Sequence, residues 1–128
     1  MQQLQPNTTL QSGKYKIIRT LGQGGFGITY LAKQRVAVEG PLGKIDVEVE
    51  VTIKEFFMKD LCNRDEETSQ VSVGSAGSIE TVQRFKEKFL KEARLIAAMD
   101  NSHIVRIHDI FEENGTAYYM KVDSIIFL

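Results

Sequence analysis

Between Lys44 and Lys54, Ile45, Val47, Val49, Val51 and Ile53 alternate strictly with Lys44, Asp46, Glu48, Glu50, Thr52 and Lys54. Strict alternation is the pattern of a long strand with one apolar face, and it turns Lys54 away from the Val/Ile row. From about Ser78 to Met99 the period changes. Val82, Phe85, Phe89, Ala93, Ile96 and Ala97 recur at helical spacing as one apolar stripe, with Ser78 a possible amino-terminal cap. Earlier, Tyr15 to Leu21 and Ile28 to Val38 read as two antiparallel strands, and Gly40 to Gly43 reads as a turn. Residues 60–78 are polar and rich in Ser and Gly, an ordered loop with a short strand at Val71 to Val73. Ile104 to Phe111 and Thr116 to Val122 form a hairpin across residues 112–115. The order strand, strand, strand, helix, strand, strand, with short connections, predicts an α+β fold: a five-stranded antiparallel sheet with one packed helix.

Of the 128 residues 42% are hydrophobic and 26% charged, with a net charge of −1. That is the balance of a soluble globular domain, and it gives no long-range attraction to nucleic acid or anionic membranes. A lone cysteine, Cys62, excludes an internal disulfide. The amino terminus lacks a secretory pattern, and no apolar run reaches the ~20 residues a membrane span needs. A cytoplasmic location is the expectation.

The chemistry is carried by three separated pieces. Gly22-Gln-Gly-Gly-Phe-Gly27 lies between two strands, because β-branched and aromatic residues, Ile28-Thr-Tyr, follow it. A dinucleotide-binding loop with the same spelling would run into a helix. A glycine turn between strands folds over a ligand as a flap, with Phe26 at its tip; the alternative is a plain hairpin turn using glycine for positive φ. Lys54 supplies a cation on a strand. Glu92 falls on the row of Phe85, Phe89 and Ile96, inside the helix stripe. A buried carboxylate calls for a cationic partner, for which Lys54 is the candidate. The alternative is an edge position, with Lys88 one turn away. His103 and His108 have no metal-ligand pattern around them, and no metal site is expected.

As an ordered set, these motifs resemble the amino-terminal lobe of a bacterial serine/threonine protein kinase of the eukaryotic type, from about Tyr15 to Val122. The glycine run resembles the glycine-rich loop, Val51-Thr-Ile-Lys54 the strand with the phosphate-binding lysine, and Phe89-Leu-Lys-Glu92 the helix with the ion-pair glutamate. His103-Ile-Val-Arg-Ile and Asn114-Gly-Thr-Ala-Tyr-Tyr119 resemble the two strands before the hinge. The resemblance implies that Gly22, Gly24, Gly25, Phe26 and Gly27 cover the phosphates of ATP and that Leu21, Thr29 and Thr52 flank the adenine. Lys54 would bind the α- and β-phosphates, held by Glu92. Ile96 and Ile107 would be upper members of an apolar stack between two lobes. It divides the chain into a flexible arm (1–13), an ATP-binding lobe (14–123) and a hinge remnant (124–128).

Departures from that pattern are Thr52 in place of a small alanine, a longer hairpin between residues 28 and 54, and a hinge whose gatekeeper is Lys121 or, with one extra residue, Val122. The segments that supply a catalytic aspartate and the magnesium ligand are not in this sequence. Phosphoryl transfer to a protein substrate, with magnesium, is therefore expected of a longer parent. The alternative is a non-catalytic nucleotide-binding or scaffold module. Apolar surface near residues 125–128 and the free edges of the long hairpin lead to an expectation of self-association.

Overall fold

In the computed structural model, residues 2–99 and 106–122 are described. The alternating segment is a single strand, β4 (Gly43–Phe56), paired along its whole length with β3 (Gly27–Gly40). With β1 (Thr9–Leu10), β2 (Tyr15–Gln23), β7 (Arg106–Glu113) and β8 (Thr116–Val122) they build one antiparallel sheet in the order β1-β2-β3-β4-β8-β7. Six strands stand where five were expected. The extra one, β1, has two residues, too few for any periodicity to show. Val71–Val73 is a strand as expected (β6), paired with β5 (Cys62–Arg64) in a separate ribbon.

The helix α1 (Ile79–Ala97) follows a 3-10 turn at Ala76–Ser78. Ser78 occupies the cap position, but its side chain makes no capping hydrogen bond. The helix leans on β7 and β8. Its Phe89 ring lies 5.7 Å from Phe56 and 5.2 Å from Tyr119, which ties it to the sheet face that carries Lys54. Val82, Leu90 and Ala93 are buried, whereas Ile96 is exposed and Ile107 buried.

On the other face, Tyr30, Ile53 and Tyr118 are covered by Leu4, Leu10, Phe57 and Met58. The expectation of a loose arm over residues 1–13 is thereby corrected: Leu4 and Leu10 sit in the core, and β1 pairs with β2. Two leucines in a Gln- and Thr-rich stretch suffice, because the turn at Gln11, Ser12 and Gly13, all at positive φ, folds β1 back along β2. Glu113 holds that turn by accepting from Gln11 N–H at 2.8 Å. Residues 124–128, expected to form a hinge remnant, and His103 lie outside the described residues.

Candidate functional site

The glycine loop joins β2 to β3 and lies down on the segment after β4. Gly24 N–H donates to Gly27 O at 2.9 Å, Phe57 N–H to Phe26 O at 3.0 Å and Lys59 N–H to Gly25 O at 3.3 Å. Phe26 reaches across to α1, its ring 5.3 Å from Phe85. Beneath the loop is a cleft of about 680 Å³, walled by the glycines on one side, by Thr29 and Lys54 on the sheet, and by Phe89 and Glu92 on the helix.

None of the loop glycines has a positive φ, so the plain-turn reading has no support from backbone conformation. Gly27 is required by a close approach: a Cβ there would meet Glu55 O at 2.9 Å. At Gly22, Gly24 and Gly25 a Cβ would meet nothing within 4 Å. The chain's own packing gives no reason for glycine at these three positions.

Cross-strand pairing sets Lys54 between Thr29 on β3 and Tyr119 on β8, the three side chains sharing one face. Thr52 pairs with Lys121, so Lys121 lies on the cleft face and its neighbour Val122 on the other. Leu21 is exposed, and neither it nor Thr52 lines the cleft. Glu92 shares the cleft with Lys54, but no ion pair joins them, and Glu92 is exposed rather than buried in the stripe. The helix rests on β7 and β8, so the carboxylate faces Tyr119, whose phenol is raised above its ordinary pKa by burial and then by the charge of Glu92. Lys88, Phe56 and Phe85 also line the cleft; helical spacing from Glu92 was the signal that could have found Lys88.

Among the described residues the buried carboxylate is Glu55, the residue after Lys54. It continues the Val/Ile row and is 0% exposed. Arg64, itself only 3% exposed, donates to it from Nη2 at 2.5 Å. The hydroxyls of Tyr30 (2.7 Å) and Tyr118 donate as well. Arg64 Nε and Nη1 donate to the carbonyls of Gln2 (2.6 Å) and Ser69 (2.8 Å), and Leu4 N–H donates to the Tyr30 hydroxyl at 3.0 Å. This network locks the strand that carries Lys54 to the amino-terminal segment. Arg64 is shifted upward in pKa: burial opposes its charge, and Glu55 outweighs burial.

No family model matches the chain. Over 114 residues, 89% of its length, it is 29% identical to the serine/threonine-protein kinase PrkC of Bacillus subtilis, of which it spans 13%. Its structure superposes on PpkA-294 in the apo form with a TM-score of 0.78 and 26% identity, covering 94% of this chain and 38% of that one. In sequence and fold the chain is similar to part of these serine/threonine kinases. The PknI kinase domain of Mycobacterium tuberculosis shares the fold, with a TM-score of 0.54 at 18% identity over 93% of this chain and 36% of that domain. The kinase-like resemblance thus holds at the level of homology and fold over a minority of each relative's length. Among the described residues no group of three or more His, Cys, Asp or Glu could hold a metal, and no helix is long and apolar enough to cross a membrane.

Proposed function

We propose that this chain is the nucleotide-holding half of a protein kinase, binding the phosphates of ATP between the Gly22–Gly27 loop and Lys54. The observation that carries this reading is the set of glycines at 22, 24 and 25, which no contact or φ within the chain requires, above a cleft floored by a lysine. Glycines with open space above them leave backbone N–H groups accessible to phosphate oxygens, and a strand lysine neutralises their charge. The residues present fit a nucleotide polyphosphate; among the described residues no group of three or more His, Cys, Asp or Glu could hold a metal, and phosphoryl transfer to protein hydroxyls is proposed only for a longer parent that supplies the metal ligands. Thr52 and Lys121 pair on the same sheet face as Lys54 but stand outside the lining of the cleft.

A second reading, a non-catalytic nucleotide-binding or scaffold module, draws on the separation of Lys54 from Glu92. Both readings are tested with radiolabelled ATP and Lys54→Met. Retention of ATP by the chain that drops at least tenfold in the variant, equivalent to about 1.4 kcal/mol, supports the site; equal retention refutes Lys54 as the phosphate ligand. In the full-length parent the same substitution abolishes autophosphorylation if the kinase reading holds. Incorporation of label by chain 1–128 alone would overturn the division of labour proposed for the two lobes.

A further inference from the structure

Beyond the sheet, β3 and β4 run on as a two-stranded ribbon. Pairing of β3 with β2 ends at Gln34, and pairing of β4 with β8 reaches no further than Thr52, yet β3 and β4 stay paired out to Gly40 and Gly43. On one face the cross-strand partners are Lys33 with Glu50, Arg35 with Glu48 and Glu39 with Lys44. Each is an opposite-charge pair, and Lys33 also reaches Glu48 at 3.5 Å. On the other face the buried pairs Tyr30–Ile53 and Ala32–Val51 continue directly into Val36–Val47 and Val38–Ile45, with Val49 beside Gln34. There the cover stops. Val38, Ile45, Val47 and Val49 are exposed, and Leu42 at the tip is fully so.

We propose that this apolar ribbon face is a homodimer interface, packed face to face against the same ribbon of a second copy. Three observations choose that occupant. The strip is aliphatic with no charged side chain, so a nucleic acid, an acidic peptide or any partner recognised by charge has nothing to pair with. The opposite face is already neutralised within the ribbon, whose three basic and four acidic residues between Lys33 and Glu50 leave a balance of −1, so two copies meet without strong repulsion. An aliphatic ribbon face can pack on the same face of a second copy under a two-fold axis, with two such faces stacking about 10 Å apart. The exposed side chains amount to on the order of 500 Å² per copy, which puts the pair near the ~1,000 Å² lower bound of specific interfaces and makes it a dimer that dissociates on dilution.

Light scattering with size exclusion on chain 1–128, across a roughly hundredfold dilution series, reads the association directly. The expected result is a dimer mass that falls to the monomer on dilution and is lost in Val47→Lys, with unchanged far-ultraviolet circular dichroism. Under mild oxidation Val47→Cys should cross-link into a dimer, while Glu48→Cys on the charged face should not; Cys62 is buried. A monomer at every concentration, a dimer that survives Val47→Lys, or preferential cross-linking through Glu48→Cys would each overturn the proposal.

Discussion

Replacing Arg64 by Met removes the cation that faces a fully buried carboxylate. Glu55 is 0% exposed and keeps two phenol donors, Tyr30 and Tyr118, but loses its counter-charge. Breaking one side of a buried pair costs about 3–5 kcal/mol, against a total stability on the order of 5–15 kcal/mol for a domain. The variant also forfeits the bonds from Arg64 to Gln2 O and Ser69 O, each worth about 1 kcal/mol, so residues 2–4 should loosen together with the loop before β6. Urea unfolding followed by circular dichroism measures the loss. One further result discriminates the cause. Adding Glu55→Gln to Arg64→Met should restore about half of the loss, since a neutral amide still accepts from one phenol through its oxygen and can donate from its nitrogen to the hydroxyl oxygen of the other. A loss below about 1 kcal/mol, or no recovery in the double variant, would refute the claim that charge burial, and not side-chain volume, makes Arg64 necessary.

Two other outcomes follow from the same structure. The phenols of Tyr15, Tyr30 and Tyr118 are all raised in pKa, first by burial and then by carboxylates, Asp109 for Tyr15 and Glu55 for the other two. Their folded values lie above the unfolded value near 10, so their contribution is complete below about pH 10 and is lost as pH rises past it; a stability profile that stays flat to pH 12 would contradict this. Gly27→Ala forces a Cβ to 2.9 Å from Glu55 O and should cost about 1–3 kcal/mol in unfolding experiments, whereas Gly25→Ala meets no atom and should stay within about 0.5 kcal/mol while weakening ATP retention. Equal effects of the two on stability would show that the loop glycines serve folding alone.

The site was legible in part. Lys54 faces away from the Val/Ile row, as the two-residue period requires, and the glycine run does join two strands above it. Burial was argued for the wrong glutamate. Counting the helix stripe set Glu92 inside it, but a stripe does not say which stretch of the helix meets the sheet, and α1 rests on β7 and β8 with Glu92 exposed. The same alternation that placed Lys54 also puts Glu55 on the buried row, one step beyond Ile53. That signal was in the sequence. Its partner was not, because Arg64 reaches Glu55 only after the chain has turned back through Cys62.

Local periodicity by itself determined the element types, the antiparallel hairpins and the face on which each strand residue lies, because those properties depend on neighbours two to four positions apart. Tertiary structure decided what no window that short contains. It drew residues 2–10 into the core through Leu4 and Leu10 and gave the sheet its sixth strand. It gathered Tyr30, Glu55, Arg64 and Tyr118 from four segments into one network. It also let β3 and β4 outrun their neighbours, leaving an apolar row in the open. Side-chain burial and charge pairing are long-range outcomes, set by where the helix and the returning loops come to rest on the sheet.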